Sequence, residues 1–193
     1  MDKSYETALP ENYREVLSVD FSQKKLGLIM NLAAAALSAA VIVPAFFLIQ
    51  PTYADYTLSS SFLFIGVLIA YIILHELTHG AAYKLLTHHK LTFGFTLTVA
   101  YCGVPDIYVY RRPAMIALLA PFVVFLPVFA VPLFFLTNTV DQLYCAIALG
   151  LHIGGCAGDL WDTWLYLKRF RDPATLMNDT GPKQSFYLPA DKM

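Results

Sequence analysis

The chain has 193 residues, of which 58% are hydrophobic and only 14% charged, with a net charge of -1 and a mean hydropathy of +0.56. Soluble domains carry about 25% charged residues, so the composition excludes an ordinary soluble domain and favours the bilayer as solvent. Outside the helix flanks no basic cluster interleaves with aromatics, so no nucleic-acid partner is expected.

Residues 1–25 are polar and charged, with no apolar core of the kind that a signal peptide needs, and read as an unprocessed cytoplasmic tail. Four stretches then reach the roughly 20 residues that cross about 30 Å of hydrocarbon: Leu26 to Ile49, Phe62 to Leu86, Ala114 to Leu136 and Gln142 to Tyr166. The expected fold is an α-helical polytopic membrane protein with four transmembrane helices, residues 26–166. A β-hairpin at about 91–110 joins helices 2 and 3, and a cytoplasmic, irregular tail follows at 167–193. All 13 lysines and arginines flank one side of this arrangement, whereas the loops PTYADYTLSS and TNTVD contain none. The positive-inside bias therefore places both termini in the cytoplasm. Cys102, Cys145 and Cys156 are odd in number and form no CxxC, which speaks against a disulfide framework and suits buried small residues.

The second span holds HELTH, His75 to His79. Two histidines four apart stack on one helix face, where their imidazoles can bind one zinc ion, and Glu76 lies about 100° round, within reach of a water on that ion. A charged residue at mid-membrane costs about 2.5 to 3.5 kcal/mol, so such residues are functional by default. His88 and His89 follow at the membrane boundary and read as a solvated helix end.

Between the second and third spans, Phe93, Phe95, Leu97, Val99 and Tyr101 alternate with smaller or polar residues, and Gly103 to Asp106 reads as a turn before Ile107 to Tyr110. This hairpin offers an edge on which an unwound substrate segment can pair by strand addition, with Thr96 and Thr98 as candidate substrate-binding residues. The third span carries Pro121, Pro127 and Pro132, so some of its carbonyls lose their helical donors and turn toward neighbouring helices or a wet cavity.

The third metal ligand is narrowed by counting. The only glutamates are Glu6, Glu11, Glu15 and Glu76, and Leu85 stands where an extended HExxHxxGxxH pattern needs histidine. The fourth span supplies HIGGCAGDLWD. Asp159 lies as far before Lys168 as His75 lies before Lys84, about 14 Å in from the flank. Asp162 lies six residues before Lys168 and His79 five before Lys84, so depth alone leaves Asp159 and Asp162 both open. On an unbroken helix His152, Gly155, Asp159 and Asp162 form one polar stripe, with Gly154 and Gly158 beside it permitting close helix approach. His152 is expected about 24 Å from the flank, some 10 Å from the depth of His75, which argues against a haem iron shared by the two.

HELTHG, a strand-like segment, a proline-rich span and a glycine-aspartate helix together resemble a family of bacterial membrane proteins described as putative zincin peptidases, from about Phe62 to Tyr166. More distantly the order of elements is similar to the site-2 proteases, intramembrane zinc enzymes. They carry their last ligand as aspartate before glycine, whereas here Gly158 precedes Asp159 and Leu160 follows it. The resemblance implies His75, His79 and Asp159 as zinc ligands, Glu76 as catalytic acid/base and a membrane-protein or peptide substrate. The rival expectation is a non-catalytic metal-binding membrane protein, a regulator or transporter.

Overall fold

The computed structural model describes residues 3–95 and 100–192, so Thr96 and Thr98 lie outside the described residues. The chain folds as two compact units: Met1–Leu28 with Glu76–Ala120 and Asp159–Met193, and Ile29–His75 with Pro121–Gly158.

In chain order, strands β1 (Tyr5–Glu6) and β2 (Tyr13–Asp20) precede helices α1 (Lys24–Ile49) and α2 (Leu58–Thr87). Strands β3 (Thr92–Phe95), β4 (Ala100–Gly103) and β5 (Tyr108–Tyr110) follow, then α3 (Arg111–Ala130), which tightens into a 3-10 turn over Val131–Phe134. Helices α4 (Thr139–Gly155) and α5 (Ala157–Lys168) and strands β6 (Leu176–Asp179) and β7 (Lys183–Pro189) complete the fold.

Among the described residues, three helical segments, α1, α2 and Arg111–Phe134, are long and apolar enough to cross a membrane. The burial of the first two is that of a lipid-facing helix rather than of a soluble core: α1 buries no residue, and Leu32, Phe47 and Leu63 are each more than 60% exposed. In water such faces would be a large apolar patch, whereas in hydrocarbon they are at home.

The expected fourth span is not one helix. α4 and α5 are separate, bent by 46° at Cys156, and count as a fourth crossing only if taken together. The local cause is the run Gly154-Gly155-Cys156, where two poor helix formers meet and the Cys156 N–H bonds to the Gly154 and His152 carbonyls. The continuous polar stripe expected from His152 to Asp162 is therefore interrupted. Gly150 and Gly154 also serve a different neighbour. A Cβ on Gly150 would stand 2.6 Å from Ile42, and one on Gly154 only 2.5 Å from the Ala34 carbonyl oxygen, so both let α4 lie against α1.

The terminal segments, expected as polar tails and the C-terminal one as irregular, pair with β5 into a five-stranded antiparallel sheet of order β1-β5-β6-β7-β2. The hairpin also differs in its partners. β3 pairs with β4, Thr92 opposite Gly103 and Phe95 opposite Ala100, while the segment expected as the return strand, β5, joins the larger sheet between β1 and β6. Val109 is fully buried there, which a strand returning on the hairpin would not achieve. The core of this unit gathers Val104, Ile107, Tyr83, Tyr166, Phe170, Met177 and Phe186. β7 is bracketed by Pro182 and Pro189, positions where a missing N–H does not break the ladder.

Gly103 ends β4 against the turn before β7. A Cβ there would meet the Gly181 backbone nitrogen at 2.5 Å and the Asp179 carbonyl oxygen at 2.9 Å, and backbone cannot yield as a flexible side chain does. Gly103→Ala is expected to destabilise the protein by about 1–3 kcal/mol, read as a lower unfolding midpoint in detergent. An unchanged midpoint would contradict this packing.

Candidate metal centre

α2 carries its buried polar side chains at every fourth position. Tyr71, His75, His79, Tyr83 and Thr87 are all buried, whereas Ile72, Ile73, Leu74, Leu77 and Leu85 are exposed. One face of an apolar helix is thus polar and turned inward, the inverse of a water-soluble helix. His75 and His79 stand one turn apart on it, with Glu76 half-buried between them.

His79 Nε2 lies 3.5 Å from Asp159 Oδ1, close enough for both atoms to ligate one metal ion. Its other nitrogen, Nδ1, is 2.8 Å from the Ala117 carbonyl oxygen. That carbonyl is open to a side chain because its helical donor would be the N–H of residue 121, and Pro121 has none. A carbonyl only accepts, so Nδ1 bears a proton and Nε2 is the nitrogen left to face Asp159. Hydrogen bonding of the non-ligating nitrogen to a carbonyl is the usual support of a metal-binding histidine. The donor set of His79 and Asp159, an imidazole nitrogen beside a carboxylate, fits zinc.

Asp162, the alternative ligand, is only 1% exposed, and its Oδ1 has no hydrogen-bond partner among the described residues. Among the described residues it joins no group of side chains able to hold a metal ion.

His75 meets a different environment. Its Nδ1 lies 3.1 Å from the Tyr71 hydroxyl, which in turn lies 2.9 Å from His152 Nδ1. The His75 and His152 ring centroids are 6.4 Å apart. The two histidines are therefore neighbours, against the depth separation expected from sequence. That count assumed a straight fourth helix and lysine flanks at one level, and the break at Cys156 removes the first assumption. Tyr71 and Asp179 were both missed by sequence reasoning. The period-four recurrence of polar residues along α2 is the signal that would have found Tyr71.

Asp179, at the end of β6, is fully enclosed. Its Oδ2 accepts from the Tyr83 hydroxyl at 2.7 Å, and its Oδ1 accepts from the Gly181 N–H at 2.9 Å and from Gln184 Nε2 at 3.2 Å. Burial pushes its pKa above the ordinary carboxylate value, although these hydrogen bonds pull the other way. Tyr83 lies one turn beyond His79, so this carboxyl ties the metal-facing edge of α2 to the sheet.

A protein family described as "Putative zincin peptidase" matches residues 68–173. The chain belongs to this family. The matched span runs from α2 through α5 and contains HELTH, Tyr71, His152 and Asp159, while β1, β2, β6 and β7 lie outside it. No curated protein and no solved structure is significantly similar to the chain. The family's name implies a zinc peptidase, which agrees with the donor set that His79 and Asp159 form.

Proposed function

We propose that this chain is a zinc-dependent membrane protease in which His75, His79 and Asp159 hold the ion and Glu76 is the general base. The observation that carries the reading is the 3.5 Å between His79 Nε2 on α2 and Asp159 Oδ1 on α5, with His75 and Glu76 in the preceding turn of α2. When bound, zinc polarises the scissile carbonyl and lowers the pKa of water to about 7.

Glu76 takes a proton from the attacking water as the new C–O bond forms, and delivers it to the amine nitrogen as the C–N bond breaks. Both carboxyl oxygens of Glu76 return to their starting state, so no other reagent is consumed. The reading extends to four crossings, with α4 and α5 as one broken span, both termini in the cytoplasm, and cleavage near that side of a bacterial cytoplasmic membrane. Substrates are membrane proteins or peptides, and a transmembrane helix must unwind before its carbonyls are accessible. An unwound segment would pair along the β3–β4 edge near Thr96 and Thr98.

Glu76→Gln separates catalysis from metal binding. Zinc per chain should equal wild type by mass spectrometry, while substrate cleavage, compared by amino-terminal proteomics of cells carrying either form, falls roughly 10²- to 10⁴-fold. Identical cleavage products in the two cell lines would rule out the protease and favour a metal-binding regulator or transporter.

A further inference from the structure

We infer that a hydrogen-bonded chain anchored on a backbone carbonyl, His75–Tyr71–His152–Phe122, sets the tautomer of His75 and so prepares it as a metal ligand, with Tyr71 and His152 as positioning residues. This rests on the metal site proposed above.

The direction of the chain follows from its far end. His152 Nε2 lies 3.3 Å from the Phe122 carbonyl oxygen, which can only accept, so Nε2 carries the proton. With His152 neutral, its Nδ1 is then a lone pair and accepts from the Tyr71 hydroxyl at 2.9 Å. Tyr71 has one proton to give, so its oxygen receives the Nδ1–H of His75 at 3.1 Å. The remaining nitrogen of His75, Nε2, keeps its lone pair. His79 has its Nδ1–H held in one step, by the Ala117 carbonyl. Two histidines on one helix thus have Nδ1–H fixed from two carbonyls of α3.

The chain is rigid as well as polarised. His152 is fully buried and stacks on Phe122, and the Tyr71 ring meets Phe125 and Phe129 edge-on. Cys156 Sγ approaches the same His152 Nδ1 at 3.7 Å, so His75, His152 and Cys156 could in principle hold an ion of their own. The Tyr71 hydroxyl competes with such an ion, because it already bridges the two Nδ1 atoms.

The test uses the purified full chain in detergent, with zinc affinity from chelator competition and the visible spectrum of the cobalt(II)-loaded protein. Tyr71→Phe keeps the ring and removes only the bridge. Together with His152→Leu, it should weaken zinc binding about 10- to 100-fold and alter the cobalt bands. His152→Asn restores an acceptor near the Nδ1 position and should recover most of the affinity, a rescue that a packing role would not give. In the metal-free protein, 15N spectra should show His75 protonated at Nδ1 in wild type and a mixture of tautomers in Tyr71→Phe. Cys156→Ala should bind zinc as wild type does. Wild-type affinity and spectra in Tyr71→Phe, alongside loss of zinc in His79→Ala, would overturn the chain and leave the metal site standing. Loss of zinc in Cys156→Ala as severe as in His79→Ala would overturn it by making Cys156 a ligand. Full zinc retention in His79→Ala would remove the metal site and this inference together.

Discussion

Asp159→Ala is expected to purify with little or no zinc, while Asp162→Ala keeps a wild-type content. Losing a group that merely supports a ligand already costs about 10- to 100-fold in metal affinity, so losing the ligand itself costs more. Asp159 is the carboxylate 3.5 Å from His79 Nε2, and it lies in the first turn of α5, three residues before Asp162. Asp162 has a carboxyl oxygen buried with no hydrogen-bond partner among the described residues, and removing such a group relieves a desolvation cost. Asp162→Ala should therefore be no less stable than wild type. Metal content by mass spectrometry, with detergent unfolding as the control, decides the matter. Zinc lost from Asp162→Ala and retained in Asp159→Ala would reassign the third ligand.

What could be read from the chain alone depended on how far apart in sequence the interacting residues lie. The apolar runs that become α1, α2 and Arg111–Phe134 are local signals, because hydrocarbon demands about 20 consecutive apolar residues. HELTH is equally local, since one helical turn brings its histidines to one face. Pro121 announced a freed carbonyl, but only the fold shows that His79 takes it. The sheet was not legible for the opposite reason. β2 and β7 pair Tyr13 with Pro189 and Asp20 with Lys183, and no periodicity reports a partner that distant. β6, buried at Leu176, Met177 and Asp179, also lacks the polar alternation by which strands are found. His152 was misplaced because a rise of 1.5 Å per residue holds only along an unbroken helix, and Gly154 and Gly155 precede a break.

Asp179→Ala should be the most destabilising single substitution in the sheet unit. It leaves the Tyr83 hydroxyl, the Gly181 N–H and one Gln184 amide proton without their acceptor in a buried place. At about 1–3 kcal/mol for each stranded buried group, the loss is roughly 3 kcal/mol or more. That is a large part of a typical folding free energy of about 5–15 kcal/mol. Gly181, at φ +98°, holds the turn that this carboxyl closes, so no small adjustment of the backbone supplies a substitute acceptor. Because Tyr83 is one turn from His79, zinc affinity should fall as well, although Asp179 is not a ligand. Asp179→Asn keeps an oxygen for Gly181 and presents an amide to Tyr83, whose hydroxyl can accept as well as donate, so it should cost much less. It also removes a titration. Burial raises the folded pKa of Asp179 above the unfolded value of 3.8, so the folded protein binds the proton more tightly. The stability contributed by this linkage is fully present below the unfolded pKa and is lost as pH rises through the folded one. Relative to Asp179→Asn, wild type should therefore lose stability as pH rises from about 4, read from denaturant midpoints. Parallel profiles for the two proteins would show that this carboxyl titrates alike in the folded and unfolded chains, and an Asp179→Ala protein as stable as wild type would show that its three donors find other partners.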